Sequence, residues 1–293
     1  MKPKEILVFG ASGQIGRHLI RKLTKNNYKV VAVTRNIHQK GYILKTQANP
    51  GYLDIVELNY FNIEKIENLL GRCSICINLI GILYEKKKNS FQKIHSDFPD
   101  LLSKLAAKKN IEKLIHLSSL GIEKAIDSKY AISKLEGENK IKKNFERHII
   151  LKPSIVYSVD DNFTTNFMTL LNLLPFMPIY YEGKTKFAPI HVTDLVEIIF
   201  GIVQGKSNEK TIECIGPEVL SFKEIIQKLL KAINKKRLLV PLPLAIAKIT
   251  AKLFEMMPNP LITVDQINLL KYDNISSGKY KTNFELDLKA KKF

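Results

Sequence analysis

The sequence contains few cysteines, which excludes a protein held together by a framework of disulfide bonds. Its 293 residues include Cys73, Cys76 and Cys214, an odd number that is typical of a reducing compartment. Cys73 and Cys76 have CxxC spacing, but no second ligand pair with the spacing of a zinc site accompanies them. Because both lie in the strand-like segment CSICINLI, we interpret them as small buried side chains and expect no metal site.

A long hydrophobic run is also lacking. The longest one, Leu238 to Ala247, is interrupted by Pro241 and Pro243 and is shorter than the roughly 20 residues of a membrane-spanning helix. Near the start of the chain, a strand-like ILVFG stands where a secretory signal would have its apolar stretch and cleavage site. We therefore expect a cytoplasmic protein without a transmembrane segment, with the inner face of the membrane as an alternative location.

Arginine is scarce, although the chain is strongly basic. Lys and Arg number 46 against 28 Asp and Glu, for a net charge of +18, and such a charge is typical of proteins that bind nucleic-acid phosphates. Most of these residues are lysines in short scattered clusters, whereas phosphate and base recognition favours the bidentate arginine side chain. We therefore expect no nucleic-acid partner. A basic surface still favours peripheral contact with an anionic membrane or an acidic protein.

Apolar and amphipathic segments alternate through the first half of the chain. The short apolar segments predict strands, at 6–9, 30–34, 55–58, 75–79, 114–118 and 149–152. The amphipathic segments predict helices, at 14–25, 63–70, 91–109 and 130–143. This alternation predicts an α/β fold with a doubly wound parallel sheet.

A glycine pattern, ILVFGASGQIG, follows the first predicted strand at once. Gly10 allows a tight turn, Gly13 lets the backbone approach a pyrophosphate, and Gly16 permits close packing of the helix, whose first N–H groups face the anion. Because the pattern lies between a strand and a helix, it predicts a Rossmann domain that binds a dinucleotide. The predicted contacts in this turn are Gly10, Ser12, Gly13, Gln14, Ile15 and Gly16.

The pattern becomes irregular after Pro153, where the proline content rises. We predict a dinucleotide-binding domain at 1–153, followed at 154–293 by the remaining Rossmann elements interleaved with a smaller C-terminal, substrate-side lobe. Within this lobe, segment 242–257 is apolar nearly all round, with a narrow polar edge at Lys248, Lys252 and Glu255. We interpret it as a helix packed against protein, and a helix lying on a membrane surface is the alternative.

The end of the second strand commonly selects between the two nicotinamide cofactors. Here VVAVTRN ends in Thr34, Arg35 and Asn36, without an acid to bind the ribose 2′-hydroxyl of NAD(H). Arg35 adds a favourable charge for the 2′-phosphate of NADP(H), and Arg17, just after the third glycine, is a second candidate contact. The charges therefore predict NADP(H), with NAD(H) as the alternative.

Tyr130 and Lys134, in SKYAISK, are four residues apart and share one face of a predicted helix. A cation beside a tyrosine lowers its pKa and also holds a nicotinamide ribose, so Tyr130 is a candidate general acid or base in hydride transfer. Ser118 and Ser119, at the end of the preceding strand, are candidates for orienting a substrate carbonyl. The alternative is a tyrosine packed on an amphipathic helix beside a surface lysine.

Longer motifs extend this pattern over nearly the whole chain. They are GASGQIGRHLIRKL, NLIGILYE, HLSSLG, SKYAISKLEGE, LKPSIVYSVDDNF, KFAPIHVTDL and TVDQINLLKYDNI. Together they resemble an extended, atypical short-chain dehydrogenase/reductase of the NAD-dependent epimerase/dehydratase superfamily, and specifically the NADPH-binding accessory subunit of respiratory complex I and its bacterial relatives. NLIGILYE and LLKYDNI are the more specific of these motifs.

This resemblance implies a tightly held NADPH and a role in assembling or stabilising a quinone-linked respiratory complex, or in ubiquinone metabolism. The partners would be proteins of the respiratory complex or of quinone biosynthesis. The resemblance also implies that the glycine turn holds the pyrophosphate and that Arg17 and Arg35 hold the 2′-phosphate. Gly81 would lie beside the cofactor, and Pro153 would follow the strand near the nicotinamide.

Tyr130 and Lys134 match the active pair of catalytic members of the superfamily, but other positions depart from the pattern. Asn59 stands near the adenine, at the end of the third strand, where many extended members have an Asp. The active-site serine of those members aligns with Leu120 or with Ser119, and turnover depends on which. Two functions stay open: a cofactor-holding accessory or assembly protein, and an active NADP(H)-dependent reductase, epimerase or dehydratase acting on a small or isoprenoid substrate.

Overall fold

The computed structural model describes residues 5–59, 61–86, 89–258, 260–287, 290, 291 and 293. The strands are β1 (Glu5–Phe9), β2 (Val30–Thr34), β3 (Leu53–Glu57), β4 (Cys73–Asn78), β5 (Lys113–Leu117), β6 (His148–Pro153), β7 (Val156–Tyr157), β8 (Phe176–Ile179), β9 (Lys186–Phe187), β10 (Ile190–His191), β11 (Thr211–Cys214), β12 (Leu220–Ser221) and β13 (Leu238–Pro241). The helices are α1 (Gln14–Lys25), α2 (Ile37–Lys45), α3 (Ile63–Arg72), α4 (Phe98–Lys108), α5 (Lys129–Asn144), α6 (Asn162–Leu173), α7 (Val192–Val203), α8 (Phe222–Ala232), α9 (Leu244–Glu255) and α10 (Val264–Leu269). A π-helical segment, Gln92–Asp97, runs directly into α4.

A seven-stranded sheet in the order β11-β6-β5-β4-β1-β2-β3 forms the centre of the fold. All neighbouring strands in it are parallel, and the strand order reverses between β1 and β4. Alternate residues of β1 enter two hydrophobic cores, Ile6 and Val8 on one face of the sheet and Leu7 and Phe9 on the other. The predicted doubly wound Rossmann fold is therefore confirmed, and its ligand crevice lies at the reversal.

The predicted strands and helices of the first half agree with the structure to within two residues at each end, when the π-helical segment Gln92–Asp97 is counted with α4 as the predicted helix 91–109. Helix α2 was not predicted. It buries only Gly41 and Leu44, so its sequence shows little amphipathic pattern. The side chain of Asn36 caps it by accepting the Gln39 N–H, and this cap fixes where the chain turns after β2.

The second half of the chain contributes to the main sheet and also forms a separate lobe. Strand β11 pairs with β6 in the main sheet, whereas a further hydrophobic core joins α6, α8, α9 and α10 with the short strands β8 and β9. The smaller C-terminal lobe is thus present, with Rossmann elements interleaved. The division of the chain at residue 153 stays a prediction.

Helix α9 packs through small side chains. Its buried residues are Ala247 and Ala251, while Ile249, Leu253 and the adjoining Met256 are exposed. The prediction of a helix packed against protein is confirmed only for this alanine face. Among the described residues, no helix combines the length and the apolar character needed to cross a bilayer.

Candidate functional site

The glycine turn lies between β1 and α1, at the reversal of strand order. Gly10 has φ of +75°, and a Cβ there would lie 2.9 Å from the carbonyl carbon of Leu79, after β4. A Cβ on Gly16 would lie 2.5 Å from the Ala11 carbonyl oxygen, so the helix packs tightly on the turn. Gly13 caps α1 without a side-chain hydrogen bond. The first N–H groups of α1 therefore have no side-chain cap, as an anion site requires.

A loop after β7 lies against the first turn of α1. Gln14 Nε2 donates to Ser158 Oγ at 2.8 Å, and Arg17 Nη2 donates to the Asp160 carboxylate at 2.6 Å. The hydrogen bond from Ser158, together with the charge of Arg17, lowers the pKa of Asp160. Arg17 thus already has an anionic partner beside the predicted pyrophosphate site. The sequence around the turn could not show this, because Asp160 lies 143 residues further along the chain.

The predicted 2′-phosphate site lies at the ends of β2 and β3. Arg35 is exposed directly after β2, and Asn59 is exposed shortly after β3. The Asn59 side chain accepts the N–H of Phe61 at 3.5 Å. Glu57, the last residue of β3, accepts the Ile37 N–H at the start of α2, at 2.9 Å. An acid is therefore present here after all, supplied by the neighbouring strand, although none occurs in VVAVTRN.

Tyr130 and Lys134 lie on one face of α5, beside the end of β5. Lys134 is buried; its Nζ lies 5.5 Å from the centre of the Tyr130 ring and donates to the Leu117 carbonyl at 3.2 Å. Ser119 forms a hydrogen bond with the Tyr130 side chain. The Ser118 hydroxyl instead donates to the Glu138 carboxylate at 2.5 Å. Of the two predicted serines, the structure therefore brings only Ser119 to the tyrosine.

Burial sets the protonation of this pair. It raises the pKa of Tyr130 to about 12, the hydrogen bond with Ser119 opposes this rise, and the charge of Asp265 adds to it. Burial also lowers the pKa of Lys134 to about 8. At neutral pH the tyrosine is therefore protonated, and the pKa of the lysine is only about one unit above neutral pH.

His95, in the π-helical segment, completes this cluster and was not predicted from the sequence. Its Nε2 accepts the Ile82 N–H at 3.1 Å, and its ring lies 5.1 Å from the Tyr130 ring, centre to centre. Burial, together with the charge of Lys134, lowers the pKa of His95 to about 2, so the ring is neutral. A Cβ on Gly81 would lie 3.8 Å from His95 Nε2 and 3.9 Å from Lys134 Nζ. Gly81 is thus beside the pair, and π-helical turns are frequent at such sites.

A buried ion pair lies behind the cluster. Lys152 on β6 and Glu138 on α5 are 2.9 Å apart, with side chains 1% and 0% exposed, and Glu123 is a second partner of the lysine. Ser118 donates to Glu138, which explains why it does not accompany Tyr130. Pro153 ends β6, and its carbonyl accepts the Leu120 N–H at 2.9 Å. The Lys152–Glu138 ion pair joins β6 to α5, so it fixes α5 against the sheet and positions Tyr130 and Lys134.

The C-terminal motif TVDQINLLKYDNI contacts the same site. Asp265 Oδ1 accepts the Lys129 N–H at 2.7 Å and Oδ2 the Tyr130 N–H at 3.2 Å, at the start of α5. Asn274 donates to the Leu120 carbonyl at 2.6 Å and accepts the Ser154 hydroxyl at 2.6 Å. The most distant motif of the chain therefore holds the loops that follow β5 and β6.

Metal ligands do not gather at this site. Within the part of the chain that the structure describes, no group of three or more His, Cys, Asp and Glu is placed to hold a metal ion. Cys73 and Cys76 are buried and unbonded in β4, which confirms their interpretation as small buried side chains. The candidate site thus consists of the glycine turn, which is the predicted pyrophosphate site, and the Ser119–Tyr130–Lys134 group.

The sequence pattern of the NAD dependent epimerase/dehydratase family matches residues 6–215. The chain belongs to this family. Members of the epimerase/dehydratase family bind NAD(P), and the site described above lies at the position where such a fold holds its ligand.

Relatives within this epimerase/dehydratase family include subunits of respiratory complexes. The chain is 25% identical over 283 residues to the mitochondrial NADH-ubiquinone oxidoreductase 40 kDa subunit of Neurospora crassa, covering 96% of this chain and 74% of that one. It is 28% identical over 294 residues to the mitochondrial NADH dehydrogenase [ubiquinone] 1 alpha subcomplex subunit 9 of Arabidopsis thaliana, covering 96% and 73%. The resemblance to complex I accessory subunits is therefore confirmed.

Solved structures of the epimerase/dehydratase type share the fold. The UDP-glucuronic acid 4-epimerase of Bacillus cereus, in complex with UDP-glucuronic acid and NAD, superposes with a TM-score of 0.68 at 21% identity, over 97% of each chain. At this identity the similarity establishes the fold alone. The choice between the two nicotinamide cofactors depends on the residues of this chain.

Proposed function

We propose that this protein holds NADP(H) and serves as an accessory or assembly subunit of a quinone-linked respiratory complex. The protonation of Tyr130 is the observation that favours holding the cofactor over catalytic turnover. Burial raises the pKa of Tyr130 to about 12, and the Lys134 Nζ donates to the Leu117 carbonyl at 3.2 Å while lying 5.5 Å from the centre of the tyrosine ring. A protonated tyrosine and a buried lysine donate to ribose hydroxyls, but this pair is not poised to remove a proton at neutral pH.

Residues around the reversal of strand order would hold the cofactor. The turn from Gly10 to Gly16, with Ser12, Gln14 and Ile15, offers backbone N–H groups to the pyrophosphate. Gly81 leaves room beside Lys134, and Tyr130 and Lys134 would bind the nicotinamide ribose, near Pro153. Bound NADP(H) would stabilise the folded state by mass action, in proportion to the logarithm of its concentration over its dissociation constant.

Preference for the 2′-phosphate rests on Arg35. It is exposed directly after β2, where a guanidinium group would donate two parallel N–H hydrogen bonds to phosphate oxygens. Arg17 would add to this only by exchanging its present partner, Asp160. Glu57 acts in the opposite direction, because its carboxylate lies near the start of α2. The charges of Arg35 and, after exchange of its partner, of Arg17 therefore favour NADP(H), with NAD(H) as the alternative.

The respiratory partner is supported by the relatives and by the extent of the similarity. Both relatives are named as subunits of NADH-ubiquinone oxidoreductases, and the similarity covers 96% of this chain. It therefore includes the C-terminal motif that holds α5. A protein of quinone biosynthesis is the second candidate partner, and the proposed location is the cytoplasm, with the inner face of the membrane as the alternative.

An active reductase, epimerase or dehydratase is the second candidate function, because Ser119 is hydrogen-bonded to the Tyr130 side chain. A hydroxyl is thus in place to orient a substrate carbonyl, although the sequence left open whether Leu120 takes that position. A half-buried tyrosine with a high pKa is also a competent general acid once a substrate oxygen gains negative charge. The substrate would be small or isoprenoid-bearing.

The deciding experiment is to purify the protein without added cofactor and to identify the bound nucleotide by mass spectrometry. The reduced complex is then incubated with quinones and short-chain carbonyls while its absorbance is followed. We expect stoichiometric NADPH that is not oxidised. Oxidation that is abolished by Tyr130→Phe would establish the enzyme instead, and absence of any nucleotide would contradict both functions.

A further inference from the structure

Helix α9 exposes an apolar face, which we define as Ile246, Ile249, Leu253, Met256 and Met257, the last two following the helix end directly. Ile249 and Leu253 are 62% exposed and Met256 is 83% exposed. These positions recur at helical spacing and therefore share one side of the helix. An amphipathic helix of a globular protein ordinarily turns its large apolar side chains inward. Here the order is reversed, because the helix packs through alanines.

Positive charge flanks this apolar face. Lys248 and Lys252, four residues apart, are exposed on α9 beside it. Residues 235–257 carry five basic side chains and one acid, Glu255. The Glu255 carboxylate accepts the Val264 N–H at 2.8 Å, so it is directed toward the start of α10. The surroundings of the apolar face are thus positive.

A second apolar pair is exposed on the strands that lead into α9. Phe176 on β8 and Leu238 on β13 are register partners, and they are 48% and 70% exposed. The basic run Lys235–Arg237 immediately precedes β13. Arg237 Nε donates to the Leu171 carbonyl at 3.0 Å, which holds the run beside the end of α6. Apolar side chains next to basic ones therefore recur in this lobe.

We propose that the apolar face of α9 docks on a membrane surface that contains anionic lipid. Aliphatic and methionine side chains would enter the boundary between headgroups and acyl chains, while Lys248 and Lys252 contact lipid phosphates. Large protein interfaces concentrate their binding energy in Tyr, Trp and Arg anchors, and this face has none. The charge complementarity and the aliphatic composition together favour lipid over an acidic protein.

Because the chain contains no tryptophan, one introduced Trp reports on this face without background emission. The probe is Leu253→Trp in the full-length protein, and the matched control is Ile126→Trp, at an exposed isoleucine outside α9. Each protein is mixed with phosphatidylcholine vesicles, with or without phosphatidylglycerol. We expect the Leu253→Trp emission to shift to the blue, and to be quenched by brominated lipid, only with phosphatidylglycerol. The Ile126→Trp emission should not change.

Two charge variants test the lysines. Lys248→Gln with Lys252→Gln is expected to weaken binding to the anionic vesicles by about tenfold or more, since each lysine near such a surface contributes on the order of 1 kcal/mol. The matched control, Lys25→Gln with Lys29→Gln, removes the same charge elsewhere and should bind almost as tightly as the wild type. If both double variants lost the same binding affinity for the anionic vesicles, the interaction would depend on net charge alone and not on α9, and the proposal would be overturned.

The remaining outcomes are equally decisive. No shift with any vesicle would show that the face does not enter a lipid surface, and equal shifts with and without phosphatidylglycerol would show that the lysines do not contribute to docking. Either result overturns the proposal. Docking does not depend on the nucleotide, so Gly13→Asp protein should bind vesicles like the wild type. Failure of the proposed cofactor role would therefore be distinguishable from failure of membrane docking.

Discussion

The carboxylate of Asp265 on α10 accepts the backbone N–H of Tyr130 at 3.2 Å, at the start of α5. It also accepts the Lys129 N–H and the Ser128 hydroxyl. One acid from the C-terminal lobe thus satisfies N–H groups that a helix start leaves open, and its charge is favourable there. The orientation of the Tyr130–Lys134 face is therefore coupled to the C-terminal lobe.

Asp265→Ala is expected to destabilise the protein by about 1–3 kcal/mol, because it leaves N–H groups at the helix start without an acceptor. Asp265→Asn keeps an acceptor and should lose less. Denaturant unfolding of both variants measures the difference. The alanine variant should also bind NADP(H) more weakly, and unchanged affinity would show that the cap does not position Tyr130.

The relation between Asp265 and Tyr130 illustrates what the sequence could and could not predict. Strands, helices and the glycine turn were predictable because their signals are local: apolar spacing, and glycines at a strand end. Asp265 capping α5, Asp160 binding Arg17 and His95 beside Tyr130 are contacts between distant segments, and no local pattern encodes them. Helix α2 was not predicted for a different reason. It buries only two positions, Gly41 and Leu44, so its sequence lacks the helical spacing of apolar residues.

The cofactor choice shows a further limit. The second strand ends without an acidic residue, as its sequence VVAVTRN shows. Only the pairing of Thr34 with Glu57 in the sheet brings a carboxylate to the same edge. A rule read from one strand therefore missed a residue of its neighbour.

The glycines of the turn should respond differently to substitution. Gly16→Ala places a Cβ 2.5 Å from backbone oxygen, so it is expected to destabilise the fold by about 1–3 kcal/mol. Gly71→Ala, on α3, meets nothing within 4 Å and serves as the matched control; it should be neutral or stabilising. Gly13→Asp, whose Cβ would lie 3.2 Å from the Gly10 carbonyl oxygen, should lose less stability than Gly16→Ala but abolish nucleotide binding, by placing negative charge against the pyrophosphate. Calorimetric titration with NADPH that showed wild-type affinity in Gly13→Asp would refute the proposed site.

Arg35→Ser should lower the affinity for NADPH by about tenfold to a hundredfold, because hydrogen bonds to a charged group contribute about 1.5–3 kcal/mol. The affinity for NADH should change little, since NADH has no 2′-phosphate. Glu57→Gln keeps an acceptor for the Ile37 N–H but removes a negative charge, so it should favour NADPH further. Dissociation constants for both cofactors, measured by fluorescence titration, check these directions. Equal losses for NADH and NADPH in Arg35→Ser would contradict the role of Arg35.

Lys134 makes stability depend on pH in a defined direction. Burial lowers its pKa to about 8 from an ordinary value of 10.5. Below about pH 8 the lysine is charged in the folded and unfolded states alike, and the folded protein carries the full cost of burying the charge. Between pH 8 and 10.5 the unfolded chain binds a proton that the folded protein does not, so this group makes stability rise with pH.

Lys134→Met removes that cost and is expected to stabilise the nucleotide-free protein at pH 6 to 7 relative to the wild type, with a gain that shrinks above about pH 8. The measurement is denaturant unfolding across this range of pH. Lys129→Met, at an exposed lysine of the same helix, is the matched control and should show no such trend. The same Lys134→Met variant should bind NADP(H) more weakly, because it has lost the donor for the ribose. A gain in stability without this loss of affinity would mean that Lys134 does not hold the cofactor.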